Sequence, residues 1–575
     1  MTKEMVKEKT GSPTAGSTQV VPRRFPIWLT ILWIIGLSAV ALMFWFADTL
    51  NDSLARHDGG VLYFIAAGIL AVCTICLFVW LFFFSYWKFW IARFVPAFCC
   101  ILCLVFLVLF KPRHGGNVEI VGWEPRFWSV EPKAISQNEQ ANFPSTTGDD
   151  FWQFLGPSRN ALVSNTTMLT DQQPKLIWKQ PIGKGWSGFA AVGDYAVTME
   201  QRGEQEVVTC YNILDGKLLW MYGHNARYED PMNLGGSGPR STPCIVDGRV
   251  YAQGGTGRLV CLNANDGKLI WEVDLVQLLN IDKKVMSTST GLSYSQEDNK
   301  LFWGRAGSPL VFGNLVIVPG GGPRGGPFVS LIAFDRFTGA ERWRGGEQMI
   351  SYSSPGLARL SGRDTILILN ENSLAGHDPE TGVELWRHER PGNSDSDANC
   401  SQPIQVGEDL VLIGKGYGGG GELLRIKDNQ VETVWKNALV VKTKFTVPVV
   451  VDGFIYCLSD GIMESTELMT GKRRWKKNRF SHGQLLLVND KLLVHSQNGT
   501  LHLVQASPDD YVEYENFKLN TISGTCWNML CLQNRRHLLV RSELEAALIQ
   551  LPVVEEKTAT RSDLNLQDSH GNKRQ

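Results

Sequence analysis

Five glycine, histidine or cysteine patterns in this chain could in principle carry chemistry, and each departs from the spacing or the setting its chemistry needs. Gly414-Lys-Gly-Tyr-Gly-Gly-Gly-Gly421 and Gly320-Gly-Gly-Pro-Arg-Gly-Gly326 lack the G-x-x-x-x-G-K-[S/T] order that wraps a phosphate. They read as wide loops between strands. Gly185-Trp-Ser187-Gly188 misses the G-x-S-x-G spacing that lifts a nucleophilic serine on a strained turn. His495 and His502 fall in different strands and form no metal-ligand spacing. Cys73-x-x-Cys76 has a redox or metal half-motif, but it sits in an apolar run where small buried hydrophobes are the ordinary use of cysteine. No catalytic set and no metal set emerges. What remains is a group of polar and aromatic residues near the starts of repeated segments: Lys415, Tyr417, Lys444, His482, Gln484, Trp527, Asn528 and Arg541. Their plain role is to solvate a channel mouth. Their sharper role is to bind an anionic or polar ligand, or a partner's peptide, through Lys415, Lys444, His482 and Arg541.

Two kinds of element must position these residues. The first lies before residue 111. No charged residue occurs from Phe25 to Ala47, a run of 23, from Gly59 to Trp87, a run of 29, or in the 17 residues between Arg93 and Lys111. A bilayer core needs about 20 apolar residues, so three transmembrane helices are expected, near 25–47, 60–84 and 92–110. The third run is short and contains Pro96; Arg93 and Lys111 at its ends can snorkel to the interfaces. A cleaved signal peptide is excluded by the length of the first run and by the second run that follows it. The N-terminal tail and the second loop carry seven Lys and Arg, against three on the other side. The positive-inside rule then places tail 1–24 in the cytoplasm and everything after Lys111 outside it.

The second element is a repeat. Asp215-Gly-Lys-Leu-Leu-Trp220, Asp266-Gly-Lys-Leu-Ile-Trp271, Thr338-Gly-Ala-Glu-Arg-Trp343, Thr381-Gly-Val-Glu-Leu-Trp386 and Thr470-Gly-Lys-Arg-Arg-Trp475 recur, and Trp178 and Trp435 hold the same place without the glycine. Spacings of 40–51 residues, with one of 72 ascribed to the glycine-rich insert at 320–326, mean propeller blades of four short strands. Each unit opens on a Ser-x-Pro-like entry (Ser241-Thr-Pro243, Ser308-Pro309, Ser354-Pro355, Ser401-Gln-Pro403, Thr446-Val-Pro448) and turns on pairs such as Asp247-Gly248, a two-residue hairpin signal. The tryptophans are core spacers packed between sheets. Eight entries predict an all-β, eight-bladed β-propeller over 151–554. Its last blade has three runs of its own, and Leu176–Gln180 supplies the fourth strand and closes the ring. Residues 111–150 read as an irregular extracytoplasmic linker. Residues 555–575 are polar and aperiodic, the mark of a disordered tail.

With 56 Lys and Arg against 57 Asp and Glu, there is no electrostatic case for nucleic-acid binding. The seven propeller cysteines (Cys210, Cys244, Cys261, Cys400, Cys457, Cys526, Cys531) are odd in number, and no disulfide framework can be read from them.

The blade ending, the count of eight and the preceding Phe151-Trp-Gln-Phe-Leu-Gly-Pro-Ser-Arg-Asn160 resemble the bacterial PQQ-binding-like β-propeller repeat proteins. That group includes the outer-membrane assembly factor B lipoproteins and, more distantly, the quinoprotein alcohol dehydrogenases. The lipoprotein members would need a short signal and a lipidated cysteine, whereas the three apolar runs and the charge asymmetry of this chain predict a propeller on the periplasmic side of the inner membrane, in contact with the lipid bilayer, with a protein or cell-envelope partner expected. For the quinoproteins it implies Ca²⁺ and PQQ over the central funnel, held by a carboxylate and an amide above a tryptophan floor, with an adjacent-cysteine disulfide. Trp527-Asn528 could supply floor and amide, but Cys99-Cys100, the adjacent pair, lies in a membrane run. The leading expectation is a non-catalytic binding scaffold without cofactor. The alternatives are a PQQ- and Ca²⁺-dependent dehydrogenase and a small-ligand sensor.

Overall fold

The computed structural model describes residues 27–45, 60–84, 89–116, 120–126, 139–230, 235–287, 293–297, 301–394 and 397–554. Tail 1–24, the two expected loops between helices and tail 555–575 lie outside the described residues. The chain divides into two compact units.

The first unit is helical. Helices α1 (Ile27–Trp45), α2 (Gly60–Phe84) and α3 (Phe89–Leu109) occupy the three apolar runs. Arg93 is the one charged residue among them. Within this unit Gly36 of α1 lies against Cys73 of α2: a β-carbon there would stand 2.7 Å from Cys73 Sγ, so the small residue lets the two backbones approach. Cys73 and Cys76 are free thiols, as are the other ten cysteines. Described side chains cover only part of each helix, and among the described residues no helix is long and apolar enough to cross a membrane.

The second unit is an eight-bladed β-propeller. Its blades span 190–225, 244–274, 310–345, 356–389, 404–437, 449–479 and 484–520, each a consecutive antiparallel sheet; the eighth pairs 531–550 with Lys175–Pro181. The closure is an antiparallel ladder in which Leu548 faces Trp178 and Ala546 faces Gln180, so the eighth blade is completed by a strand from the start of the propeller and the ring is closed. The two middle strands of each blade are covered on both faces by neighbouring sheets, which makes them nearly continuous apolar runs, as in Leu492–Val494 and Val316–Val318. The outer strands are more exposed, as in Arg473–Arg479, where Arg474, Lys477, Asn478 and Arg479 face solvent and Trp475 is buried.

The tryptophans hold blade to blade. Trp178, Trp220, Trp271, Trp435 and Trp475 each donate Nε1–H to a backbone carbonyl of the next blade, at Ile213, Ala264, Arg336, Leu468 and Ser507. Burying an indole requires a partner for its donor, and this arrangement supplies one without a polar side chain.

Two readings of the sequence need correction. The 72-residue interval does not come from the glycines at 320–326, which form a loop between two strands of the third blade. It comes from an insertion before that blade: a helical turn α4 (Leu275–Leu278), capped by the Asp274 carboxylate, and a hairpin of Lys283–Ser287 with Ser293–Glu297. Nor is 111–150 irregular throughout. Phe110–His114 and Ile120–Pro125 form an antiparallel hairpin, and 139–143 bonds to the outer turns of the first two blades through Glu139 N–H to Leu219 O and Ala141 N–H to Asn265 O.

Candidate functional site

The Ser-x-Pro entries lie where each blade begins its innermost strand, and in the fold they join hands. Gly188 N–H donates to Thr242 Oγ1, Thr242 N–H to Ser308 Oγ, and Ser308 N–H to Ser354 Oγ. Gln402 bridges both backbone groups of Ser354, and Ser401 Oγ–H reaches Thr446 O. Gln484 Nε2 then spans from Phe445 O (3.3 Å) to Trp527 O (2.9 Å), and Asn528 Nδ2 reaches Gly185 O and Ser187 O. The result is a belt of hydrogen bonds that passes once through all eight blades. Gln484 and Asn528, both candidate site residues, are members of this belt. The serines and threonines beside them were legible as a repeat, but hydroxyl positions alone do not reveal that each donor serves the next blade.

Five other candidates gather at one side of the channel mouth. Lys444 Nζ stands 5.0 Å from the ring centre of Tyr417, a cation–π distance. Phe445 contacts both His482 (5.5 Å between centres) and Trp527 (4.9 Å), and Trp527 packs on Trp186 at 4.6 Å. Lys415 pairs with Asp397 (2.9 Å) and donates to Pro391 O; its ammonium is pushed down by burial, against which Asp397 works. His482 is fully buried, and burial together with the Lys444 and Arg479 charges holds its imidazole well below the usual histidine range. It is therefore neutral at pH 7.

Arg541 does not join them. Its guanidinium is buried between the eighth and first blades, donating to Thr198 Oγ1, Met199 O, Gly183 O and Gly185 O. Burial pushes it down to about 10 despite the nearby Glu200, which is itself engaged by Arg202, Thr209 and Tyr211. Arg541 is thus a bracket between blades rather than a group facing the channel mouth.

The hairpin that follows the helices reaches this mouth. Gly116 N–H donates to Gln497 Oε1, which also accepts from Trp527 Nε1, and Gly116 O accepts from Lys444 Nζ at 2.8 Å. A β-carbon on Gly116 would stand 2.2 Å from His482 Cδ2, so only glycine lets the backbone lie on the imidazole. Arg113 pairs with Glu543 at 2.5 Å. Neither Gly116 nor Gln497 was singled out from the sequence; long-range contacts of an apparent linker leave no local signal.

Cys400 borders the same cluster, and its thiol is pushed up to about 12 by burial although Lys415, Lys444 and Arg240 oppose the shift. It is an unreactive thiol. Among the described residues no group of three or more His, Cys, Asp or Glu side chains could hold a metal ion.

The model of the family described as outer membrane protein assembly factor BamB matches residues 204–477 and 370–508. Among curated relatives, a quinone-dependent alcohol dehydrogenase, dehydrogenase subunit, of Acetobacter aceti is 27% identical over 36% of this chain and 25% of its own. The corresponding subunit of Gluconacetobacter polyoxogenes is 22% identical over 61% of this chain and 43% of its own. The chain therefore spans less than half the length of these relatives. The crystal structure of a quinohemoprotein alcohol dehydrogenase from Comamonas testosteroni superposes with a TM-score of 0.50 at 11% identity, covering 71% of this chain and 81% of that one; at that identity the likeness speaks for the fold alone. With just over half of its residues matched by the family model, this chain belongs to the PQQ-like β-propeller family described as outer membrane protein assembly factor BamB.

Proposed function

We propose that this chain is a non-catalytic propeller scaffold that binds a protein or cell-envelope component, held at the inner membrane by its three helices with the propeller outside the cytoplasm. The observation that carries this reading is the use made of the polar groups at the blade entries. Gln484 and Asn528 are spent on the belt, Arg541 on backbone carbonyls, Lys415 on Asp397, and Lys444 on Gly116. They stabilise the ring and its hairpin, and a rigid ring offers a broad surface for a partner. The anchor is supported by the apolar composition of α1, α2 and α3 and by the excess of Lys and Arg in the tail and second loop.

The curated relatives favour a second reading, a PQQ-dependent dehydrogenase. The residues at the mouth do not fit that cofactor. Trp527 is crowded by Trp186 and Phe445, so its ring is not a free floor. The Asn528 amide is turned into the belt, and the nearby Glu543 carboxylate is held by Arg113. Asn528 and Glu543 therefore do not form a ligand pair beside Trp527.

Titration of the detergent-solubilised full chain with PQQ and Ca²⁺, followed by quinone absorbance and alcohol-dependent dye reduction, tests the choice. Neither saturable binding nor turnover is expected. Both together would replace the scaffold by a dehydrogenase; binding without turnover, weakened by Lys415→Ala or His482→Ala, would replace it by a ligand sensor. A reporter fused after Gln575 is expected to work only if it requires an extracytoplasmic location. Activity of a cytoplasm-only reporter there would overturn the topology.

A further inference from the structure

The segment before the propeller does more than lead into it. Asp150–Val163 lies along the inner edges of the innermost strands, where open backbone donors face the central channel. Phe151 O and Trp152 O accept from Ala191 and Ile245 of the first two blades, and Ala161 O accepts from Leu487 of the seventh. Gln533 of the eighth blade receives Phe151 N–H and donates to Asp150. The segment reaches the entry belt through Arg159, which donates to Ser308 O. It leaves a cavity of about 490 Å³ against the third, fourth and fifth blades.

Arg159 lines this cavity and is only 5% exposed. Its Nη atoms donate to Gln153 Oε1, Pro309 O and Ser308 O. Its Nε–H is buried without an acceptor, and no carboxylate pairs with it among the described residues. A buried cation without a counter-charge is expensive; proteins retain one where an anion completes it. The other charged lining groups, Arg359 and Asp364, pair with each other at 2.9 Å, so the lining keeps one net positive charge. The backbone that presents Arg159 is strained, with positive φ at Leu155 (64°), Arg159 (50°) and Ala161 (56°). Such strain collects at sites where a side chain must be aimed.

We propose that this cavity binds a small organic monocarboxylate, with Arg159 as its charge anchor. The volume suits a ligand of that class, and Ser158 and Asn160 along the wall supply polar edges for the remainder of the molecule. This site shares no lining residue with the Lys444–Trp527 cluster, and it does not depend on the scaffold reading.

The test is thermal unfolding of the solubilised full chain with propionate, benzoate or N-acetylalanine, each against chloride and phosphate at equal ionic strength. A ligand of the folded state raises Tm in a saturable way. A rise of about 2 °C or more is expected with at least one carboxylate and none with chloride. Arg159 also holds two backbone carbonyls, so the deciding variant is Leu357→Trp, an exposed lining residue whose enlargement fills the cavity without touching the guanidinium. That variant is expected to lose the rise and to keep the parental Tm without ligand. No saturable rise with any carboxylate, an equal rise in Leu357→Trp, or an equal rise with phosphate would each overturn the assignment.

Discussion

Gly267 lies flat against the indole of Trp220, so close that a β-carbon on the glycine would stand 2.5 Å from the ring. The two residues belong to consecutive blades. The same relation recurs between Gly216 and Trp178, Gly339 and Trp271, Gly382 and Trp343, and Gly471 and Trp435. The glycine of the Gly-x-x-x-Trp ending therefore serves the tryptophan of the blade before it, and each motif is half of two contacts. Gly248, with nearly the same φ (70° against 68°), has nothing within 4 Å. Gly248→Ala should cost about 1–2 kcal/mol from the left-handed backbone, and Gly267→Ala about 1–3 kcal/mol more from overpacking. Urea midpoints of the two variants measure the difference, and equal midpoints would deny the ring contact.

Ring closure rests on the Leu548–Trp178 ladder. Deleting 171–181 removes the outer strand of the eighth blade and a half-buried indole. It should destabilise the whole propeller by at least about 2 kcal/mol and leave an open sheet edge. An unchanged Tm would mean that the eighth blade is complete without that strand.

Acid should weaken the propeller through its buried histidines. His495 is buried with its Nε2 against Thr521, and burial, reinforced by His502, holds it at about 3. The unfolded chain takes up that proton near the ordinary value of about 6.5, whereas the folded chain does not. Stability is thus fully present above pH 6.5 and falls as the pH drops toward 3. The loss at pH 5 is about 2 kcal/mol from this residue, and His482 adds to it in the same direction. Urea unfolding at pH 7.5 and 5 should show the fall, with a smaller fall in His495→Asn.

The hairpin is tied to the eighth blade by Arg113 and Glu543. Burial draws the Glu543 carboxyl upward and Arg113 opposes it. Arg113→Glu should speed amide exchange at 110–116 about tenfold or more, because it sets two partly buried carboxylates together. Adding Glu543→Arg should restore most of the protection. Failure of the double variant to recover would place the attachment elsewhere, at Gly116.

The eight blades and their closure were legible because a propeller repeats one local solution. A turn glycine, a tryptophan four residues later and a hairpin pair recur at intervals of mostly 40–51 residues, and the lone strand at Leu176–Gln180 had nowhere else to pair. The three helices at the predicted apolar runs were legible for the same local reason. The site was not. Lys415, Tyr417, Lys444, His482 and Trp527 come together, but Arg541 turns into the seam between the eighth and first blades, and Gln484 and Asn528 enter the belt. Which of two faces a blade-entry side chain meets depends on the neighbouring blade, and that contact spans hundreds of residues. The same holds for Gly116 on His482 and for Arg159 against Ser308 and Pro309. Period and turn chemistry are properties of short segments and can be read from the chain alone; partners for buried polar groups are chosen only when the ring closes.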